Sequence, residues 1–161
     1  MAQKFQVLWA DDEIDLLKPH ILFLTEKGCV ITTVNSGLDA IEEVESKNFD
    51  VVFLDEMMPG MTGLETLQHI KQIKPQIPVV MITKSEEEHL MDEAIGGKIA
   101  DYLIKPLNPN QIWLSVKKIV QNKQLIDSKT AQNYQQEFRL LSQALDEANS
   151  AQEWSDVYRR L

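Results

Sequence analysis

The sequence predicts an α/β fold, a parallel, doubly wound five-stranded sheet followed by a C-terminal helical extension. Three observations predict it. Across residues 1–122, short apolar runs alternate with longer amphipathic stretches five times over. Two of those runs have no polar residue on either face. Beyond residue 122 the strand signal stops and only helical periodicity remains.

The elements follow in order. Gln6–Ala10, Val30–Val34, Val51–Leu54, Val79–Ile82 and Tyr102–Ile104 are rich in Val, Ile and aromatic residues, the side chains that suit a pleated surface. Val51-Val52-Phe53-Leu54 and Val79-Val80-Met81-Ile82 read as central strands, because only a strand covered on both faces can be apolar throughout. Helical patterns fall between the runs at about 16–27, 37–47, 63–74, 87–95 and 109–122. Strands joined through helices pair in parallel by right-handed crossovers, which places helices on both faces. Ser36 and Thr62 are expected N-caps for the second and third helices. Pro75 and Pro78 bracket the approach to the fourth strand, where no helix continues. Pro19 inside a helix would cost about 3 kcal/mol, so the first helix is expected to begin near Asp15–Leu16, with Pro19 close to its first turn.

After residue 122, Tyr134, Phe138, Leu141 and Leu145 recur on one helical face within Asp127–Glu147. Ser150 and Glu153 spell a capping box ahead of a second stripe, Trp154, Val157, Tyr158 and Leu161. The expected organisation is a domain over 1–122 and, over 123–161, the start of a helical bundle or connector cut from a longer parent. The segment from Leu125 to Leu161 holds 4 basic and 6 acidic residues and no helix-turn-helix with a basic second helix, so a DNA-reading output is not expected there.

Composition narrows the function classes. The net charge of −9, from 16 basic and 25 acidic residues, disfavours a nucleic-acid surface and suits a cation site or a basic partner. One cysteine, Cys29, leaves no internal disulfide and fits a reducing compartment; it reads as a small buried apolar residue. No apolar run approaches the roughly 20 residues needed to span a bilayer. The expected location is the cytoplasm, away from the membrane.

The chemistry lies in acids at strand ends. In a doubly wound sheet the loops at the carboxyl ends of the strands line one crevice, and ligands bind there. Asp11 and Asp12 follow the first strand and Asp55 the third. Three carboxylates in one crevice must be hydrated, protonated or metal-bound, since like charges raise one another's pKa. Mg²⁺, a hard ion that takes oxygen ligands, is the expected cofactor. Thr83 ends the fourth strand and Lys105 the fifth, facing the same crevice. A carboxylate attacking a phosphoryl group needs the equatorial oxygens neutralised. A cation, an ammonium and a hydroxyl complete that set. Taken singly, each residue also has an ordinary reading as a loop acid, a turn residue or a cap; the combination carries the argument.

Asp11-Asp12-Glu13, Leu54-Asp55-Glu56-Met57-Met58-Pro59-Gly60-Met61-Thr62-Gly63, Ile82-Thr83 and Asp101-Tyr102-Leu103-Ile104-Lys105-Pro106 together resemble a response-regulator receiver of the CheY-like kind. The resemblance covers about three quarters of the chain. It implies a flavodoxin-like sheet of order 2-1-3-4-5 and a signalling role in a two-component system, with a sensor histidine kinase or a small molecule as phosphodonor. It implies Asp55 as phosphoacceptor, and Asp12, Asp55 and the main-chain carbonyl of Met57 as direct Mg²⁺ ligands, with Asp11 acting through a water. It also implies that Lys105 pairs with Asp55, that the Lys105–Pro106 peptide is cis, and that Thr83 and Tyr102 form a switch pair. Glu56 and Lys84, beside the acceptor and beside Thr83, are expected to tune the phosphoryl lifetime. Lys84 stands where receivers usually carry a small residue, and slow autodephosphorylation is the expected consequence.

Further stretches narrow the resemblance. Asp11-Asp12-Glu13-Ile14-Asp15-Leu16-Leu17-Lys18-Pro19-His20, Met81-Ile82-Thr83-Lys84-Ser85-Glu86-Glu87-Glu88 and Asn133-Tyr134-Gln135-Gln136-Glu137-Phe138 are similar to PorX-type regulators, a family associated with type IX secretion in Bacteroidetes. That resemblance implies a receiver, a helical bundle and a downstream PglZ-type phosphodiesterase domain, with homodimerisation on phosphorylation. This chain would then be a phosphoacceptor and not a turnover enzyme.

Three rivals remain open. A dehalogenase-type phosphatase wants a second acid two residues after its nucleophile. Met57 holds that place. A phosphate-independent interaction module would not need the five-residue set, and a transcription factor would reveal itself beyond Leu161.

Overall fold

A computed structural model of the chain describes residues 4–84 and 98–150. Five strands, β1 (Phe5–Ala10), β2 (Cys29–Val34), β3 (Val51–Asp55), β4 (Val79–Thr83) and β5 (Asp101–Ile104), form one sheet in the order β2-β1-β3-β4-β5. Every pairing is parallel. The helices are α1 (Lys18–Glu26), α2 (Gly37–Ser46), α3 (Gly63–Ile73) and α4 (Pro109–Ser150). The expected fold and strand order are both present. The expected helix at 87–95 lies outside the described residues.

Alternation along each strand divides the core into two layers. Leu8, Ala10, Val52, Leu54, Val79 and Met81 face α2 and α3, meeting Ala40, Val44, Leu67 and Ile70. Val7, Trp9, Val51, Phe53, Val80 and Ile82 point the other way and pack with Leu24 of α1 and Ile112, Val116, Ile119 and Val120 of α4. Trp9 and Phe53 meet on that side with ring centroids 5.7 Å apart. β3 and β4 are buried from end to end, as their unbroken apolar sequences require. Each fully buried aliphatic side chain contributes about 1.5–3 kcal/mol, so the central strands are the firm base on which the loops above them stand.

Local chemistry sets the helix ends. The Ser36 Oγ accepts from the Asp39 N–H at 3.2 Å, and the Thr62 Oγ1 accepts from the Glu65 N–H at 3.2 Å, the expected caps. The first helix begins later than expected. Ile14–Leu17 form a 3-10 turn, and α1 starts at Lys18 with Pro19 in its first turn. Proline is free of cost there, because the first N–H groups of a helix have no acceptor within it. Cys29 is buried at the start of β2, where burial pushes its thiol up to about 11.

The helix expected over 109–122 continues past its expected end: α4 runs without interruption from Pro109 to Ser150. The change of surface composition carries no backbone breaker, for no Gly or Pro occurs between 110 and 161. The chain forms two compact units, Met1–Val120 and Gln121–Leu161. Within the second, Phe138 and Leu141 of the expected stripe are exposed. The capping box at Ser150 and Glu153 and the stripe from Trp154 to Leu161 fall outside the described side chains.

One glycine is required by contact. A Cβ on Gly63 would collide with the Asp55 carbonyl oxygen and the Glu56 Cα, both rigid backbone atoms. The start of α3 can therefore press against the end of β3 only without a side chain. Gly63→Ala is expected to cost about 1–3 kcal/mol through overpacking. A lower urea midpoint at unchanged slope in equilibrium unfolding is the result that checks it.

Candidate functional site

β1 lies between β2 and β3, so the chain's direction of winding reverses at β1 and leaves a crevice above its carboxyl end. Asp11 leaves β1 there and Asp55 closes β3 beside it. Both are sealed, Asp11 at 0% and Asp55 at 2% exposure, while Asp12 is exposed at the rim. One carboxylate oxygen from each of the three lies within 4.8 Å of the others. The sequence places them 44 residues apart at the widest, and the sheet brings them together.

Lys105 completes the cluster from the end of β5. Its Nζ donates to Asp55 Oδ2 at 3.1 Å and sits 3.2 Å from Asp11 Oδ2. The expected pairing with Asp55 is present, and the second pairing, with Asp11, was not read from sequence. The backbone holds the lysine in place: its N–H donates to the Thr83 carbonyl at 2.7 Å, and the Lys105–Pro106 peptide is cis. Thr83, 1% exposed, ends β4 between β3 and β5. Around Asp55 the chain turns so that the Met57 N–H donates to Asp55 Oδ1 at 3.2 Å, while the Met57 side chain points to solvent. The Glu56 N–H donates to the Ile82 carbonyl at 2.8 Å. The strand end is thus tied to β4 on one side and to its own loop on the other.

Burial pushes the Asp55 carboxyl above the ordinary carboxylate range; the Lys105 hydrogen bond pulls it down, and the nearby Asp11 charge pushes it up again. The net direction is upward. For Lys105, burial alone would lower the ammonium, but its bond to Asp55 and the fields of Asp11 and Asp55 outweigh burial and raise it. Three carboxylates against one ammonium leave two uncompensated negative charges in the crevice. Asp11 Oδ2 is fully buried, with the Lys105 ammonium 3.2 Å away as its ion-pair partner. A buried, hard-oxygen set short of two positive charges fits a divalent cation such as Mg²⁺.

The remaining predicted residues lie nearby in the fold. Tyr102, half-buried on β5 opposite Met81, packs on the layer that faces α2 and α3. Lys84 is exposed immediately after Thr83. Two links escaped the sequence reading. His20 of α1 bonds the Leu107 carbonyl at 2.7 Å, and the Ser115 hydroxyl of α4 donates to Asp101 Oδ2 at 2.8 Å. Nothing in their spacing signals either partner.

Residues 7–117 match the response regulator receiver domain family. The chain belongs to that family. Residues 124–161 match the PorX response regulator linker domain. Among curated relatives of this receiver, the transcriptional regulatory protein ZraR of Klebsiella oxytoca is 33% identical over 79% of the chain and 29% of its own length. The alkaline phosphatase synthesis transcriptional regulatory protein PhoP of Bacillus subtilis is 28% identical over 74% of the chain and 50% of its own length. The chain spans half or less of the length of these relatives. Among solved structures, the signal receiver domain of a putative Luxo repressor protein from Vibrio parahaemolyticus superposes with a TM-score of 0.70 at 26% identity, covering 78% of this chain and 96% of that one. The Vibrio cholerae chemotaxis protein CheY4 gives 0.65 at 26% identity, with 73% and 99% covered. No helix among the described residues of the receiver is long and apolar enough to cross a membrane.

The raised Asp55 value has a thermodynamic sign. A carboxyl raised in the folded state holds its proton more tightly than in the unfolded chain. Its contribution to stability is therefore complete below the unfolded value of 3.8 and is lost as pH rises through the folded value. At neutral pH, without a divalent cation, the ionised side chain burdens the fold. Asp55→Asn is expected to melt a few degrees higher than the parent at pH 7–8 in chelator, with the gap closing as pH falls toward the carboxylate range. Thermal unfolding followed across pH checks both the sign and the window.

Proposed function

We propose that this receiver is a Mg²⁺-dependent aspartyl-phosphate switch, with residues 1–122 accepting a phosphoryl group on Asp55 and residues 123–161 opening a connector to a downstream output. The observation that carries the proposal is the convergence of Asp11, Asp12, Asp55 and Lys105 in one crevice above the strand ends, with Asp11 and Asp55 buried and Asp12 at the rim.

Each residue has work to do in that reaction. An Asp55 carboxylate oxygen attacks the phosphorus of a phosphohistidine or acyl phosphate donor. The new O–P bond forms as the donor's P–N or P–O bond breaks, and the leaving group keeps the electron pair. The Met57 N–H and the Lys105 ammonium hold the two carboxylate oxygens, which fixes the nucleophile's direction. As charge moves onto the transferred group, Lys105 meets one of its oxygens and the Thr83 hydroxyl another. Asp12, Asp55 and the Met57 carbonyl would hold Mg²⁺, with Asp11 reaching it through water. The ion, when bound, neutralises charge on the transferring oxygens.

Phosphorylation adds about −1.5 to −2 charges and three acceptor oxygens at the end of β3. Thr83 and Tyr102 lie on adjacent strands, with Met81 directly opposite Tyr102. A change at Thr83 passes along β4 to β5 and so to the surface that β5 shares with α4. Glu56 and Lys84 flank the reaction centre and set how readily water reaches the acyl phosphate.

The linker match and the receiver's sequence likeness both support a PorX-type organisation, with a sensor histidine kinase as donor and a PglZ-type domain downstream. Dimerisation on phosphorylation, a role in type IX secretion and a cytoplasmic location belong to the same reading. Direct nucleic-acid contact by this segment does not.

Incubation with acetyl phosphate and Mg²⁺ is expected to add about 80 Da, the mass of one phosphoryl group. The gain should vanish in Asp55→Ala and in excess chelator. Persistence of the gain in Asp55→Ala, read by intact mass, would contradict the assignment. Lys84→Ala is expected to lose its phosphoryl group several-fold faster than the parent, measured as decay of that mass peak after donor removal. A rate no faster than the parent's counts against the shielding role of Lys84.

A further inference from the structure

The geometry points to His20 as the residue that positions Lys105, an inference that rests on the phosphoacceptor reading above. Lys105 has a flexible four-carbon stem and must hold its ammonium at the reacting group. Its placement depends on where the loop after β5 is fixed. That loop is tied at two points on either side of the lysine. Before Pro106, the Lys105 N–H donates to the Thr83 carbonyl at 2.7 Å. After it, the Leu107 carbonyl accepts from His20 Nε2 at 2.7 Å, across 87 residues of sequence.

The bond also fixes the imidazole. A carbonyl oxygen only accepts, so Nε2 donates and the ring is held in one orientation. Asp11, Leu17, His20, Lys105 and Leu107 line one cleft of about 220 Å³ beside the acid cluster. His20 is only half-buried, and it contacts neither Asp55 nor Lys105 through any hydrogen bond; its effect runs through the Leu107 carbonyl and the intervening proline. Immediately after Leu107, Asn108 Oδ1 accepts from the Asn110 N–H at 2.9 Å and begins α4. The His20 bond therefore fastens the short span between the end of β5 and the start of α4, the span from which Lys105 projects. A misplacement of about 1 Å at a reacting geometry can cost about 10²-fold in rate. Loss of this tether lets the loop and the lysine drift by an amount of that order.

The test compares His20→Ala with His20→Gln, whose amide N–H can meet the same carbonyl. The expected result for His20→Ala is a maximal rate of Asp55 phosphorylation, at saturating acetyl phosphate, about 10-fold below the parent's. Mg²⁺ affinity should stay within about 2-fold, because the three carboxylates are placed by β1 and β3. His20→Gln should recover most of the rate. A crystal structure of His20→Ala should find Lys105 Nζ out of hydrogen-bond reach of Asp55 Oδ2. A parent-like rate in His20→Ala would overturn the role, as would equal rate losses in both variants accompanied by equal losses of melting temperature. Should the parent itself take no phosphoryl group, the switch reading fails on its own account. The crystal structure would still decide the role of His20: Lys105 unmoved in His20→Ala would overturn it.

Discussion

The site turns on an ammonium shared between two buried carboxylates. Lys105 stands 3.1 Å from Asp55 and 3.2 Å from Asp11, both sealed from water. Burying a carboxylate is costly, and an isolated one would take up a proton instead. The lysine offsets that cost for one charge only, and a third acid at the rim deepens the deficit. A crevice so charged fits a divalent cation. The arrangement is a poor way to stabilise a fold, and it fits the phosphoacceptor role proposed for Asp55.

The scaffold's contribution is rigidity. Two apolar layers grip β3 and β4 on both faces, and those strands end in Asp55 and Thr83. Asp55 and Thr83 each close a fully buried strand, so their backbones have little freedom. The loops add fine control: the Glu56 amide is tied to β4, Gly63 lets α3 press against the acceptor's own carbonyl, and the Lys105 amide is tied to β4 from the other side. The proposed signal route starts from the same contacts. Asp101, at the start of β5, bonds Ser115 of α4, and α4 is the helix that continues into the residues matching a PorX linker.

Much of this was legible in the sequence because it obeys local rules. Val51–Leu54 and Val79–Ile82 could only be buried strands, and residues that follow such strands must lie at their carboxyl ends. Asp11, Asp12, Asp55, Thr83 and Lys105 could accordingly be placed at those ends from the sequence. What escaped depends on distance or on backbone detail. Whether Lys105 meets Asp55 alone or Asp11 as well depends on how β5 sits across the sheet. His20 and Leu107 are 87 residues apart, and neither has a partner that spacing suggests. The first helix was started too early because Pro19 permits a helix beginning anywhere in the turn before it, and the 3-10 turn at Ile14–Leu17 took up the difference. The change in surface character near 122 does not end the helix there, since the backbone has neither glycine nor proline to interrupt it.

Three carboxylates encoded far apart are proposed to form one divalent-cation site. Calorimetric titration with Mg²⁺ tests it most directly. One ion is expected to bind per chain, with affinity falling about 10-fold or more when Asp12 becomes Asn, since a hard ion's binding follows the number of charged oxygens around it. Binding of equal strength in Asp12→Asn, or no binding by the parent chain, would contradict it.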